Sequence, residues 1–198
     1  MRHVQLRPTR TDVAIAHGAA RHATPQRERA LQILTWLADE KLLYAASAVV
    51  WLAARKGSRR ERLQADHLLL TVVLANVLPH LVKQVIDQER PDRTIVPLHH
   101  TISRHGIPKS GKRYDAFPSG HAMHLGAIAS AVSWMYPKLR PWAWLGGMAI
   151  ASTRVALLAH WASDVVVGLA AGAGLERALR PIVVRSLRTQ RSARGVHR

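Results

Sequence analysis

The 198-residue sequence contains no cysteine, one phenylalanine and only 12 acidic residues. Without cysteine the chain can form neither disulfides nor thiolate metal sites, and nothing points to an oxidising or a reducing compartment. Lysine and arginine number 29, so the formal net charge is +17. Such an excess predicts an anionic partner, which can be nucleic acid, an anionic lipid surface or a phosphorylated substrate.

Apolar segments are present, but they are short for membrane spans, which need about 20 residues each. We expect an amphipathic helix over residues 27–38 and apolar helices over residues 42–54, 68–82, 122–136, 142–158 and 165–175. Small residues recur at four-residue spacing within two of them: Gly168 and Gly172, and Ala122, Gly126 and Ser130. These faces favour close helix packing in a bilayer, although soluble bundles use them too.

The rest of the chain indicates one domain between two basic ends. Residues 1–26 are predicted to be a basic, loop-like segment without the apolar stretch of a cleaved signal peptide. Residues 27–178 form the predicted helical domain, interrupted at 92–117 by a polar loop that contains Pro97, Gly106, Pro108 and Gly111. Residues 179–198 are predicted to be a basic tail, solvated or facing lipid headgroups; 177–198 contain seven arginines.

Three separated groups of polar residues carry the chemistry. They are Lys83 with Arg90-Pro91, then Pro118-Ser119-Gly120-His121, then Arg154 with His160 and Asp164. Taken alone, each group has a bland explanation. Lys83 and Arg90 can be basic residues at a helix end, Ser119 can be a simple N-cap, and His160 with Asp164 can be a helix-surface pair.

The combination indicates phosphoryl transfer without a metal. A turn that becomes a helix at Gly120 exposes backbone N–H groups to an anion. If the chain is helical around His160, Asp164 lies one turn later and can accept a hydrogen bond from Nδ1–H, which leaves Nε2 free as a nucleophile. The three cations can stabilise the charge that spreads over the transferred phosphoryl group.

These three groups, in this order over residues 83–164, resemble the motifs of the type-2 phosphatidic acid phosphatase (PAP2) superfamily. The third motif usually begins Ser-Arg and reads Thr153-Arg154 here, which keeps a hydroxyl. The resemblance implies an all-α helical bundle of the PAP2/vanadium haloperoxidase type, with about five to six membrane-associated helices. The superfamily also includes soluble acid phosphatases, but the apolar helices and small-residue faces favour the membrane branch, whose members dephosphorylate lipids.

Site roles follow from the same resemblance. It implies that His160 attacks phosphorus, that Asp164 orients His160, and that His121 protonates the departing alkoxide and later activates water. The residues that would bind the phosphate throughout are Lys83, Arg90, Ser119, Gly120 and Arg154. The implied substrate is phosphatidic acid, a polyprenyl phosphate or diphosphate, or phosphatidylglycerol phosphate. Neither the choice among these nor the oligomeric state follows from the sequence.

No cofactor is expected. Further histidines, His99, His100 and His105 in the loop and His124 in a helix near the pocket, show no closed ligand spacing. Asp87 and Glu89 could hold a divalent cation, but Asp87 lies four residues after Lys83 and can pair with it. We therefore predict metal independence and no metal ligands.

Charge placement predicts the orientation in the membrane. The helix ends that carry the motifs share one face with eight basic residues, whereas the opposite face has fourteen. The positive-inside rule then predicts an integral protein of a bacterial inner membrane with the active site on the extracytoplasmic side. Six arginines before residue 30 conflict with this count, unless residues 27–54 form a hairpin that returns the N-terminus to the inside.

Two other functions remain open. A vanadate-dependent haloperoxidase would use the same fold and the same anion pocket. A non-enzymatic basic protein that binds membranes or nucleic acid would explain the sequence pI near 11.7. Few aromatic residues and no recognised nucleic-acid module favour the interpretation without nucleic acid.

Overall fold

The computed structural model describes residues 4–94 and 112–195, with side chains for residues 4–92 and 112–185, and shows a helical bundle. In chain order the elements are β1 (Val4–Gln5), α1 (Arg10–Arg21), α2 (Pro25–Trp36), α3 (Glu40–Ala54), α4 (Arg59–Val82), β2 (Ile86–Asp87), α5 (Pro91–Thr94), α6 (Gly120–Met135), a 3₁₀ turn (Pro137–Leu139), α7 (Arg140–Ala156) and α8 (Ala162–Gly195). The all-α class is confirmed, and the six predicted helices correspond to α2, α3, α4, α6, α7 and α8.

The N-terminal segment is not loop-like as predicted, because α1 begins directly after a capping box. The Thr9 hydroxyl accepts the Asp12 backbone N–H at 3.1 Å, and the Asp12 carboxylate accepts the Thr9 N–H at 3.0 Å. Reciprocal bonds of this kind satisfy two donors that a helix start otherwise leaves unpaired. A threonine followed three residues later by an acid was therefore a readable helix signal.

The basic C-terminal segment also differs from the prediction. Instead of ending near Leu175, α8 continues to Gly195, so most of the predicted solvated tail is helical. Residues 176–195 contain six arginines, and arginine has high helix propensity. The polar loop at 92–117 is described only at its ends, and Pro97, Gly106, Pro108 and Gly111 lie outside the described residues.

The centre of the bundle is α6, whose residues from Ala122 to Ala127 are all buried. Its backbone meets α8 at the predicted small-residue faces. A Cβ added to Gly126 would collide with the Leu169 carbonyl, and one added to Gly172 would collide with the Met123 carbonyl. At Gly168 it would lie 2.6 Å from the Ser119 carbonyl oxygen. The glycines therefore permit direct backbone contact between the two helices.

The outer helices expose large apolar side chains along much of their length. Exposed examples are Leu42, Val49 and Leu52 in α3, Leu70, Val77 and Leu81 in α4, Trp142, Leu145 and Met148 in α7, and Val166 and Ile182 in α8. An apolar surface this extensive needs a cover such as lipid. Within the described residues, α4 is the one helix long and apolar enough to cross a membrane by length and composition.

The N-terminus lies on the side of the bundle that carries the motifs. β1 pairs in parallel with β2, directly after the end of α4, and Asp12 bonds to Ser163 at the start of α8. These contacts exclude the alternative in which residues 27–54 form a hairpin that returns the N-terminus to the opposite side. Because the N-terminal arginines of the described residues then belong to the side with the motifs, the number of basic residues no longer distinguishes the two faces.

Gly172→Ala tests the contact between α6 and α8. The added methyl group collides with backbone, which cannot move aside as a side chain can. We therefore expect the free energy of unfolding to fall by about 1–3 kcal/mol. The matched control is Gly174→Ala in the same helix, where nothing lies within 4 Å of the added Cβ. Thermal unfolding in detergent measures both variants; equal melting temperatures would contradict the close contact.

Candidate active site

A cavity of about 250 Å³ opens where α4 ends and α6 begins. Five of the predicted site residues line it: Lys83, Arg90, Gly120, His121 and Arg154. Further polar residues on its wall are Asp39, Glu40, Asn76, His80, Asp115 and His124. The other three predicted residues, Ser119, His160 and Asp164, lie beneath the wall and are at most 3% exposed. The fold thus collects residues that are up to 81 positions apart between Lys83 and Asp164.

Arg90 is held rigidly at the base of this cavity. Its Nε and Nη2 both donate to Asp115 Oδ1 at 2.9 Å, and its Nη1 donates to the Ala159 carbonyl at 2.7 Å. Lys83 Nζ lies 4.0 Å from the other oxygen of Asp115. Burial lowers the pKa of Lys83, while the Asp115 charge acts in the opposite direction. Asp115 therefore holds Arg90 in place and lies near Lys83. It belongs to the polar loop, where no periodic pattern in the sequence indicated its role.

The hydrogen bonds of His160 define its tautomer. Nδ1 lies 2.7 Å from the Ala116 carbonyl oxygen, which can only accept, so Nδ1 carries the proton. Nε2 lies 3.5 Å from Arg90 Nη1, a donor, and therefore keeps its lone pair. Burial, together with the charges of Arg90 and Arg154, holds the pKa of His160 well below its usual range. The imidazole is therefore neutral at physiological pH and can act as a nucleophile.

The structure does not show the predicted hydrogen bond between His160 and Asp164. Nδ1 is 3.8 Å from Asp164 Oδ2, and that oxygen instead accepts the Trp161 backbone N–H at 2.8 Å. The reason is that His160 precedes α8 and shares no helix with Asp164. Leu158 has a positive φ of 55° at the end of α7, which turns the chain sharply before His160.

The N-terminus of α6 supplies part of the predicted anion site. Ser119 is its N-cap, and its side chain accepts the Ala122 N–H at 3.4 Å. The Ser119 N–H itself donates to the Asp164 carbonyl at 3.2 Å and is thus already occupied. The amides of Gly120 and His121 are the first in α6, where backbone donors have no acceptor within the helix. The backbone anion site therefore rests on these two amides.

Arg154 has a buried side-chain donor that can bind a phosphate oxygen. Its side chain is 3% exposed, and its Nε, among the described residues, has no hydrogen-bond partner. A buried unpaired guanidinium donor is costly, so a phosphate oxygen at this position would be favourable.

Other candidate ligands can now be placed. His124 lines the cavity as predicted, whereas His99, His100 and His105 lie outside the described residues. The Glu89 carboxylate accepts a bond from Arg113 Nε at 2.6 Å. Among the described residues no group of three or more His, Asp or Glu side chains could hold a metal ion. Metal independence itself stays a prediction.

Known proteins with related sequences and folds are consistent with this site. The model of the PAP2 superfamily matches residues 65–188. Two relatives, each named lipid A 1-phosphatase, are 30% identical to the chain. The protein from Rhizobium johnstonii aligns over 79% of this chain and 67% of its own length, and the one from Rhizobium etli over 71% and 65%.

Solved structures show the same fold at low identity. Aquifex aeolicus LpxE has a TM-score of 0.67 at 18% identity, covering 87% of this chain and 96% of its own. The PAP2-type phosphatidylglycerolphosphate phosphatase from Bacillus subtilis has a TM-score of 0.63 at 19% identity, covering 88% and 85%. The family match and the two relatives named as phosphatases indicate a phosphatase. The chain belongs to the PAP2 superfamily.

Asp115→Asn tests the support of Arg90. The amide keeps the size but loses the charge that aligns the guanidinium, and small misplacements at a reacting centre cost up to about 100-fold in rate. We expect kcat/KM for phosphate release to fall about ten- to a hundredfold. Glu89→Gln is the control, because its partner Arg113 is 59% exposed and exposed pairs contribute little. Equal losses in both variants would contradict a special role for Asp115.

Proposed function

We propose that the chain is a metal-independent phosphatase that hydrolyses a phosphate ester or diphosphate of a membrane lipid through a phosphohistidine at His160. The observation that carries the proposal is the convergence of three cations, Lys83, Arg90 and Arg154, on one cavity, with the neutral His160 buried directly behind Arg90. Phosphoryl transfer depends mainly on positioning and on charge stabilisation, which this arrangement supplies.

The substrate phosphate would bind among the three cations and the amides of Gly120 and His121. Before it can attack phosphorus, His160 Nε2 must lose its contact with Arg90 Nη1. That contact is 3.5 Å long, at the outer limit of a hydrogen bond, so its loss costs little. Arg90 Nη1 can then donate to a phosphate oxygen.

The bond between Nε2 and phosphorus forms while the bond from phosphorus to the lipid oxygen breaks. His121, on the cavity wall, protonates this oxygen as it leaves. The proton stays on His160 Nδ1, which donates to the Ala116 carbonyl at 2.7 Å. The Asp164 carboxylate, 3.8 Å from Nδ1, stabilises the positive charge that develops on the imidazole. Water, activated by His121, then attacks the phosphohistidine and releases inorganic phosphate.

Two features support a lipid as the substrate. The exposed apolar side chains of α3, α4, α7 and α8 favour embedding in a bilayer, which would bring the cavity near the headgroup plane. The two relatives at 30% identity are named lipid A 1-phosphatase. We therefore place the 1-phosphate of a lipid A-type glycolipid first, ahead of phosphatidic acid, polyprenyl phosphates and phosphatidylglycerol phosphate.

His160→Ala tests the mechanism. Purified wild type and variant are compared in detergent for phosphate release over a panel of these four lipid classes. Removing a nucleophile commonly abolishes turnover, so we expect a loss of at least about a thousandfold. Alkaline detergent quenching with a ³²P-labelled lipid should trap a base-stable, acid-labile phosphoenzyme in wild type and none in the variant. The control is His17→Ala, a histidine on the exposed face of α1.

Equal phosphate release by wild type and His160→Ala would refute the catalytic assignment. Activity lost in chelator and regained with magnesium would refute metal independence. Vanadate should inhibit phosphate release, whereas halide oxidation by peroxide with added vanadate would favour the haloperoxidase alternative. Preference for phosphatidic acid over the glycolipid phosphate would overturn the substrate order alone.

Single cysteines test the orientation predicted from the sequence, in which the active site lies outside the cytoplasm. The chain has no cysteine, so Tyr114→Cys on the motif side and Leu139→Cys on the opposite side each introduce a unique thiol. Both positions are about half exposed, at 48% and 49%. In intact cells without an outer membrane, an impermeant maleimide should label the first and spare the second. The reverse pattern would place the active site in the cytoplasm.

A further inference from the structure

The N-terminal segment, residues 4–38, contacts the active site although the family match begins only at residue 65. Three of its contacts each lie beside one part of the site. The contacts are β1 with β2 (Val4 opposite Ile86), shortly before Arg90; Thr35 Oγ1 with Thr153 Oγ1 at 2.6 Å, next to Arg154; and Asp12 with Ser163, next to Asp164. The segment therefore belongs physically to the catalytic face.

Asp12 makes the strongest of these contacts. Its side chain is 3% exposed and accepts both the backbone N–H and the hydroxyl of Ser163, each at 2.9 Å. The same carboxylate accepts the Thr9 N–H and hydroxyl at 3.0 and 2.8 Å. Ser163 is the second residue of α8, where backbone N–H groups lack partners within the helix and an anion is favoured. Asp12 thus joins the start of α1 to the start of α8.

The Asp12 carboxylate is charged at neutral pH. Burial acts to raise its pKa, but the hydrogen bonds from Ser163 and Thr9 outweigh burial, and the pKa is lowered overall. A carboxyl whose pKa falls on folding stabilises the protein at neutral pH, and this contribution is lost as the pH drops through the folded pKa. At neutral pH the ionised Asp12 carboxylate therefore contributes fully to the contact between α1 and α8.

Asp164, the next residue in α8, is hydrogen-bonded to both chain segments that carry the proposed reacting groups. The Asp164 carbonyl accepts the Ser119 N–H at 3.2 Å, at the start of the helix that carries His121. The Asp164 carboxylate accepts the Trp161 N–H at 2.8 Å, adjacent to His160. One turn of chain therefore connects the nucleophile to the helix of the general acid.

We propose that Asp12 is a positioning residue, which fixes the first turn of α8 so that Asp164, His160 and the N-terminus of α6 keep their catalytic geometry. The inference rests on the proposed function, because it assigns Asp12 an effect on the step at His160. Asp12 does not line the cavity and contacts none of the three proposed phosphate-binding cations through the bonds above. Its loss should consequently slow the chemical step and leave substrate binding nearly unchanged.

The test is Asp12→Asn, with kcat and KM determined separately on the preferred lipid, well below the unfolding temperature. An amide offers one acceptor oxygen in place of two, so the first turn of α8 loses part of its anchor. We expect kcat to fall about ten- to a hundredfold, with KM within about threefold of wild type. The rate of phosphoenzyme formation in a single turnover should fall by the same factor as kcat.

Two matched variants separate positioning from general destabilisation. Asp66→Asn removes a carboxylate that pairs with Arg55 at 2.6 Å, away from the cavity; kcat should stay within about twofold of wild type. Ser163→Ala removes only the hydroxyl bond to Asp12 and should lower kcat less than Asp12→Asn does. The double variant should lose no more than Asp12→Asn alone, because both changes act through one contact.

The inference is overturned if Asp12→Asn keeps kcat within twofold, or if only its KM rises. A lower melting temperature with full kcat would equally assign Asp12 a purely structural role. Should Asp12→Asn fail to fold, Ser163→Ala decides, since it retains the backbone bond: a reduced kcat at constant KM supports the inference, and an unchanged kcat overturns it. Activity retained in His160→Ala would instead refute the proposed function, and this inference with it.

Discussion

The backbone contact between α6 and α8 is the constraint on which the rest of the structure depends. Because Gly126, Gly168 and Gly172 have no side chains, the two helices touch through main-chain atoms along two turns. This places the start of α6 directly against the start of α8, where the Ser119 amide meets the Asp164 carbonyl. His121 on α6, the proposed general acid, and the Asp164 carboxylate on α8 are thereby brought to one end of the bundle.

The electrostatics of the cavity follow from the resulting crowding of like charges. Lys83, Arg90 and Arg154 share one cavity, and Asp115 is the carboxylate that contacts two of them among the described residues. The excess positive charge has two effects: it attracts a phosphate, and it adds to burial, the larger cause, in lowering the pKa of His160. A site with these dipoles and charges already in place needs little reorganisation when charge develops during phosphoryl transfer.

Most helices and most candidate site residues could be predicted from the sequence. The residues that were not predicted share one cause. Apolar periodicity located the six main helices, and short spacings located eight residues of the site, because both signals are local. Asp115, Ala116 and Asp12 were missed since their roles depend on partners between 25 and 151 positions away. The predicted hydrogen bond between His160 and Asp164 does not form, because the chain turns at Leu158 and the two residues do not share a helix.

The sequence by itself determined the chemistry: which cations, histidines and carboxylate are available, and which small residues let helices meet. The tertiary structure alone decided how they are used. It selected a backbone carbonyl, which has no side-chain signature, as the partner of His160 Nδ1. It also drew the N-terminal segment into the active site, because an orphaned helix start in α8 required an acceptor that its own neighbouring residues did not fully supply.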